Sequence, residues 1–186
     1  MTAPFLPPPG TDTAEYVLLV DAEDQVTGLR EKMAAHREGL LHRAFSVFVF
    51  TPDGRHLLQQ RAASKYHSGG LWSNTCCSHP RLGETVESAA ARRLREEMGL
   101  SCDLRPMFSF IYRAELEDGL IEHELDHVLI GETGEDPNPD PMEVGAWQRL
   151  PPEDLWHDVE ARAERYTAWL KVALEQLRAR GLDRRA

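Results

Sequence analysis

Apolar and polar positions along the chain fall into short runs, some alternating with period two and some recurring near the helical 3.6, with turn residues between them. Tyr16-Val17-Leu18-Leu19-Val20 reads as a strand, Asp21 to Asp24 as a turn and Gln25 to Arg30 as the return, which predicts an N-terminal hairpin. Glu31 to Gly39 reads as a connector. Ala44 to Phe50 is apolar at nearly every position, the pattern of a central strand buried on both faces. Thr51-Pro52-Asp53-Gly54 supplies turn chemistry, and His56 to Gln60 a returning strand.

The clearest internal helix runs from Glu87 to Met98. Ala90, Ala91, Leu94 and Met98 recur near helical spacing, and Gly99 is placed to end it. Met107 to Arg113 and Ile121 to Ile130 predict a second hairpin around Asp118-Gly119. The proline-rich run Asp136 to Pro141 cannot continue regular structure, and Val144 to Arg149 reads as a short last strand. After Pro151-Pro152, the apolar stripe Tyr166, Trp169, Leu170, Ala173, Leu174 and Leu177 predicts a C-terminal amphipathic helix. The order of elements gives an α+β or mixed α/β sandwich.

With 186 residues the chain fits one domain with a real core, expected over residues 15–180. Residues 1–14, rich in proline, read as a disordered arm, and residues 181–186 as a tail. No apolar stretch approaches the roughly 20 residues of a membrane span, so no membrane insertion is expected. The net charge of −10 argues against a nucleic-acid partner, which needs a basic face, but leaves room for an anionic substrate held by a few local cations and a metal. Three cysteines form no even framework, which favours reduced thiols in a cytoplasm.

The run Trp72-Ser73-Asn74-Thr75-Cys76-Cys77-Ser78-His79-Pro80 carries the most chemistry. In an extended segment Cys77 and His79 project to one side and Cys76 to the other. Cys77 is then a candidate metal thiolate, nucleophile or acid/base, against the plainer reading of a small buried residue. Glu122 and Glu124 alternate along a predicted strand, with Asp126 next on that side. Like charges at that spacing need a cation or a retained proton. His36, His42 and His79 supply imidazoles, so an N/O site for Mn²⁺ or Zn²⁺ is expected.

Residues 78–100 resemble the Nudix box, which reads Gly, five residues, Glu, seven residues, then Arg-Glu-apolar-any-Glu-Glu-any-Gly-apolar. Glu84, Arg92, Leu94, Glu96, Glu97, Gly99 and Leu100 fall on the pattern, whereas Ser78 replaces its first Gly and Arg93 its first helical Glu. Replacing that acid with a guanidinium removes a cation ligand and adds a phosphate binder.

Together with Leu41 to Ser46, the 74–80 run and the Glu122/Glu124 pair, this motif resembles the type I isopentenyl diphosphate isomerases over roughly residues 15–175. The resemblance implies a Nudix-like mixed sheet sandwiched between helices. It also implies a monomeric enzyme that shifts a carbon–carbon double bond in a small-molecule diphosphate without breaking the phosphate ester. Its metal site would fall on His36, His42, His79, Glu122 and Glu124, its essential cysteine on Cys77, and a Mg²⁺ bound with the substrate diphosphate on Glu97. Lys32, Arg61, Lys65 and Arg93 would contact the diphosphate. Tyr112 and Trp169 would surround the hydrocarbon, with Tyr112 assisting Glu124 in proton transfer to carbon and Cys77 as its counterpart. The alternatives are a Nudix hydrolase of a nucleoside diphosphate derivative and a metal-stabilised interaction domain.

Overall fold

The computed structural model describes residues 16–183; the expected arm over residues 1–14 and the last residues of the tail lie outside them. Among the described residues nine strands form one mixed sheet: β1 (Tyr16–Val20), β2 (Val26–Glu31), β3 (His42–Phe50), β4 (His56–Arg61), β5 (Trp72–Ser73), β6 (Cys76–Ser78), β7 (Arg105–Glu115), β8 (Ile121–Glu132) and β9 (Val144–Leu150). Four α-helices accompany them there: α1 (Lys32–Glu38), α2 (Val86–Met98), α3 (Pro152–Ala161) and α4 (Ala168–Ala179). Both predicted hairpins form, β1 with β2 and β7 with β8.

The apolar run of β3 is apolar because the strand is the hub of the sheet. It pairs with β1, β4 and β6 and runs parallel to β8 from His42↔Glu124 to Phe50↔Glu132. Its odd positions Phe45, Val47 and Val49 pack with Ala89, Ala90, Leu94 and Met98 of α2. Its even positions Phe48 and Phe50 pack with Leu170, Ala173, Leu174 and Leu177 of α4. The sheet is thus sandwiched between helices, and truncating a fully buried residue such as Leu94 is expected to cost about 2–5 kcal/mol.

The residues expected to form a connector, Glu31 to Gly39, instead contain α1. Its start carries none of the usual Ser, Thr, Asp or Asn signals, because Glu31 caps it, its two carboxylate oxygens accepting from Met33 N and Ala34 N at 2.8 Å each. Gly39 closes it in the left-handed region at φ +62. Gly99 ends α2 as the sequence predicts, and for two reasons: its φ is +65, and a Cβ there would lie 2.3 Å from the carbonyl oxygen of Asn138. The C-terminal region holds two helices rather than one. Tyr166 precedes α4 and forms a bridge to Trp72, and Thr167 N donates to the Trp72 carbonyl at 3.0 Å. Among the described residues no helix is long and apolar enough to cross a membrane.

His56 lies fully buried beside Phe50, its Nε2 3.1 Å from the carbonyl oxygen of Asp183. Burial pushes this imidazole down from 6.5 to about 4. A neutral native imidazole that charges on unfolding gives stability that is present above the unfolded pKa and lost as pH falls from about 6.5 toward 4. The full loss is on the order of 3 kcal/mol. His56→Gln is expected to flatten this part of the profile; denaturant titrations at several pH values would show it, and an unchanged slope would remove His56 as the cause.

Candidate functional site

β3 and β4 touch only at Val49↔Leu57 and Phe50↔His56 and then splay apart. The segment 72–79 fills the opening: β5 pairs with β4, and β6 pairs antiparallel with β3 through Ser46↔Cys77. Buried side chains satisfy the backbone groups the splay would otherwise strand. Asn74 Nδ2 donates to Val47 O and Cys76 O, and Thr75 Oγ1 donates to Leu57 O while accepting from Val49 N at 2.8 Å. Gln59 Nε2 donates to both Thr75 O and Glu97 Oε2 at 2.9 Å. Cys76 consequently sits in the α2-side core, while Cys77 lines the pocket on the other face with His79.

Register explains the rest of that face. His42 lies beside Glu124 across β3 and β8, and Tyr112 beside Glu124 across β7 and β8. Glu122, Glu124 and Asp126 are all buried, as their alternation requires. His36, brought in by α1, has Nε2 3.2 Å from Glu122 Oε2; His79 Nε2 is 3.1 Å and His42 Nε2 3.6 Å from Glu124 Oε1. His36 Nδ1 lies 2.7 Å from Lys32 O and His42 Nδ1 2.8 Å from Leu40 O, so these nitrogens carry the proton and the Nε2 lone pairs face inward. His36 Nε2, His42 Nε2 and Glu122 Oε2 are buried without a hydrogen-bond partner. Imidazole and carboxylate donors converging on unpartnered buried atoms fit a divalent cation.

The sequence reading missed His67. Its Nε2 is 3.5 Å from Glu122 Oε1, and it forms a second ligand group with His36 and Glu122. It comes from a Ser/Gly-rich loop with no periodicity, so only its place just before the 72–80 run marked it. Burial pushes His67 down to about 3, keeping it neutral.

The expected anion contacts Lys32, Arg61, Lys65 and Arg93 line the same pocket as Cys77, Glu97, Glu122, Glu124 and Trp169. Arg61 lies over the Trp169 ring at 5.1 Å with its Nε unpartnered, and Trp169 Nε1 donates to Ser73 Oγ at 2.8 Å. Arg93 Nη2 donates to Glu97 Oε1 at 2.6 Å. Arg92 instead binds Glu84 and Glu96, so those motif positions brace the loop before α2 against the helix. Glu143, which the sequence reading also passed over, reaches both Lys65 and Arg93.

Burial pushes Cys77 up to about 12, an effect Arg61 opposes and Glu97, Glu124 and Asp126 reinforce, so it stands as a protonated thiol. Tyr112 is buried beside Glu124, which drives its pKa well up, and its hydroxyl donates to Glu124 Oε2 at 2.6 Å. Burial would raise Glu124, but His42 and the Tyr112 hydroxyl outweigh it and hold the carboxylate below its usual range. Burial and Glu124 drive Asp126 well up. The pocket therefore presents proton-transfer groups from strands on both sides of β3, beside a cluster of cations.

A family model described as NUDIX domain matches residues 40–170. The chain is 52% identical over 163 residues to a protein of Aromatoleum aromaticum named isopentenyl-diphosphate Delta-isomerase 2, covering 88% of this chain and 86% of that one. It is 50% identical to the isopentenyl-diphosphate Delta-isomerase of Burkholderia multivorans, covering 87% and 92%. Among solved structures it is similar to a Deinococcus radiodurans protein at TM-score 0.74 and 22% identity, covering 87% and 98%. A MutT protein from Methanosarcina mazei follows at TM-score 0.62 and 16% identity, covering 76% and 95%. These two likenesses establish the fold.

A cation seated among these groups binds the folded chain and stabilises it by mass action. Mn²⁺ or Zn²⁺ at about 100 times its dissociation constant is expected to add about 2.7 kcal/mol and raise the melting temperature by roughly 5–10 °C. His79→Ala and Glu122→Gln should each shrink that ion-induced rise, and Cys76→Ala should leave it. Thermal unfolding with and without the ion decides, and equal rises in all variants would place the ion elsewhere.

Proposed function

The chain belongs to the NUDIX domain family and, within it, to the isopentenyl-diphosphate Delta-isomerases, and we propose that it interconverts isopentenyl and dimethylallyl diphosphate by moving protons at carbon. The observation that carries the residue-level reading is that Cys77 and Glu124, the latter accepting from the Tyr112 hydroxyl, face one pocket lined by four cations. The alternative of a diphosphate hydrolase is not favoured: the helical position where the hydrolytic motif gathers cations is filled by Arg93, which faces the pocket as a cation itself.

Protonating an unactivated alkene gives a tertiary centre cationic character, so the site needs a positioned acid, a base on another side of the substrate, and no water. Glu124, oriented by the Tyr112 hydroxyl, and Cys77 form the acid/base pair. With Cys77 a protonated thiol and Glu124 a carboxylate in the free site, the thiol gives its proton to the terminal alkene carbon and Glu124 takes one from the carbon nearer the diphosphate, and the two exchange roles in the reverse direction. Trp169 closes the pocket, and its π face stabilises a desolvated cation by about 2 kcal/mol. Lys32, Arg61, Lys65 and Arg93 hold the diphosphate as a handle.

His36, His42, His79, Glu122 and Glu124 would hold Mn²⁺ or Zn²⁺, and Glu97 a Mg²⁺ arriving with the substrate; when bound, these ions supply charge neutralisation for the stacked carboxylates and for the diphosphate. The reading places a monomer in the cytoplasm, consistent with three free thiols, with residues 15–180 acting as one domain.

Incubation of the protein with isopentenyl diphosphate in heavy water is expected to place deuterium in a terminal methyl of dimethylallyl diphosphate without releasing phosphate. Isomer formed without label at early turnover would reject separate acid and base, and released phosphate would return the hydrolase. Cys77→Ala and Glu124→Gln should each lower turnover by roughly 10²–10⁴-fold with the fold intact. Cys76→Ala, on the opposite face, should stay within a few-fold of the parent. Comparable turnover in Cys77→Ala would remove that thiol from the mechanism.

A further inference from the structure

The four cations of the pocket are not equivalent. Lys32 rests over the Tyr66 ring at 4.8 Å and Arg61 over Trp169, with the Arg61 Nε unpartnered. Lys65 and Arg93 are joined instead by one carboxylate, Glu143, whose Oε2 pairs with Lys65 Nζ and whose Oε1 accepts from Arg93 Nη2 at 3.1 Å. Glu143 sits just before β9, and its backbone is pinned: its carbonyl accepts from Ala62 N at 2.9 Å, and its N–H donates to Asp140 O at 3.0 Å. The side chains of Glu143, Lys65 and Arg93 are only 22%, 22% and 19% exposed, so the group lies at the pocket wall rather than in open solvent. A two-oxygen anion bridging an ammonium and a guanidinium has the geometry of a phosphate oxygen pair. Glu97, on the other side of Arg93, is the second anion there.

We propose that Glu143 is the specificity-determining acid of the diphosphate seat, standing in for the substrate's oxygens in the free protein and making diphosphate entry depend on a divalent cation. A bare diphosphate must break both Glu143 contacts and then face two carboxylates left without their cation partners. A diphosphate that arrives with Mg²⁺ brings the charge that Glu143 and Glu97 then face, and leaves Lys65 and Arg93 free for phosphate oxygens. This rests on the reading of Lys65 and Arg93 as diphosphate contacts. It adds a residue that the Nudix pattern does not contain, and it selects the metal-bound diphosphate over metal-free forms of the same anion.

The test is calorimetric titration of the full chain with inorganic pyrophosphate, with and without saturating Mg²⁺. The quantity read is the ratio by which Mg²⁺ tightens binding. In Glu143→Gln metal-free pyrophosphate is expected to bind about tenfold tighter than in the parent, and the Mg²⁺ ratio to fall by about the same factor. Glu143→Asp, which keeps the charge, should retain most of the ratio. A ratio in Glu143→Gln within about threefold of the parent would overturn the proposal. So would an equal fall in both variants, since that would trace to lost packing rather than charge. Lys65→Ala and Arg93→Ala report separately on the underlying reading. If neither weakens pyrophosphate, the anion seat itself is misplaced, whatever Glu143 does.

Discussion

The site depends on a gap in a β-sheet. β3 and β4 separate after two residue pairs, and an opening in the middle of a sheet strands backbone donors and acceptors where water cannot reach them, at a cost of about 1–3 kcal/mol for each group left unmade. The fully buried Asn74 and Thr75 and the nearly buried Gln59 remove that cost by bonding to backbone on both sides. Because those bonds lock the segment in extended form, the two adjacent cysteines are forced to opposite faces. One thiol packs in the core under α2 and the other faces the pocket. The same gap lets Glu97 reach Gln59 from the helix layer, so α2 takes part in a pocket that otherwise opens on the α4 side of the sheet.

Charge is sorted across that pocket. β8 contributes three successive inward carboxyls, which could not sit side by side in the anionic state without compensation. Histidines from α1, β3 and the segment after β6 converge on Glu122 and Glu124, while Asp126 has both oxygens unpartnered and is driven toward its neutral form by burial and by Glu124. Opposite stand the cations of α1, β4, the loop after it and α2. The pocket thus holds its cations on one side and Trp169, Cys77 and the inward carboxylates on the other.

Much of this was legible in the sequence wherever a short-range period carries the information. The alternation of Glu122, Glu124 and Asp126 and the two-residue spacing of Cys77 and His79 survive folding because strand geometry alone decides which side they take. The Gly99 cap that ends α2 is equally local. What escaped was set by distant contacts. α1 is short and capped by an unusual Glu31, so its residues looked like a connector, although His36 was still assigned to the site. His67 and Glu143 sit in irregular loops, and their partners lie 55 and up to 78 residues away in sequence; no spacing rule reaches that far. Tyr166 fits the helical stripe of α4, yet it is drawn out of the helix by its bridge to Trp72.

The α2 helix shows how one scaffold changes chemistry without changing shape. Glu84 and Arg92, two pattern positions of the Nudix motif, fix the loop before the helix to its second turn, with Nε to Oε1 at 2.7 Å and Nη2 to Oε2 at 2.8 Å. That brace is mechanical and is indifferent to what the pocket does. Arg93 is the next residue and is turned toward the pocket, where the hydrolytic pattern places an acid. With an acid there the helix face would gather cations around the phosphate and activate water against it. With a guanidinium held by Glu96, Glu97 and Glu143, the face presents a cation to the pocket, with Glu97 buried beside it and facing the same pocket. The exchange of acid for guanidinium changes what the helix face offers the pocket while the fold, the helix and its brace stay as they are.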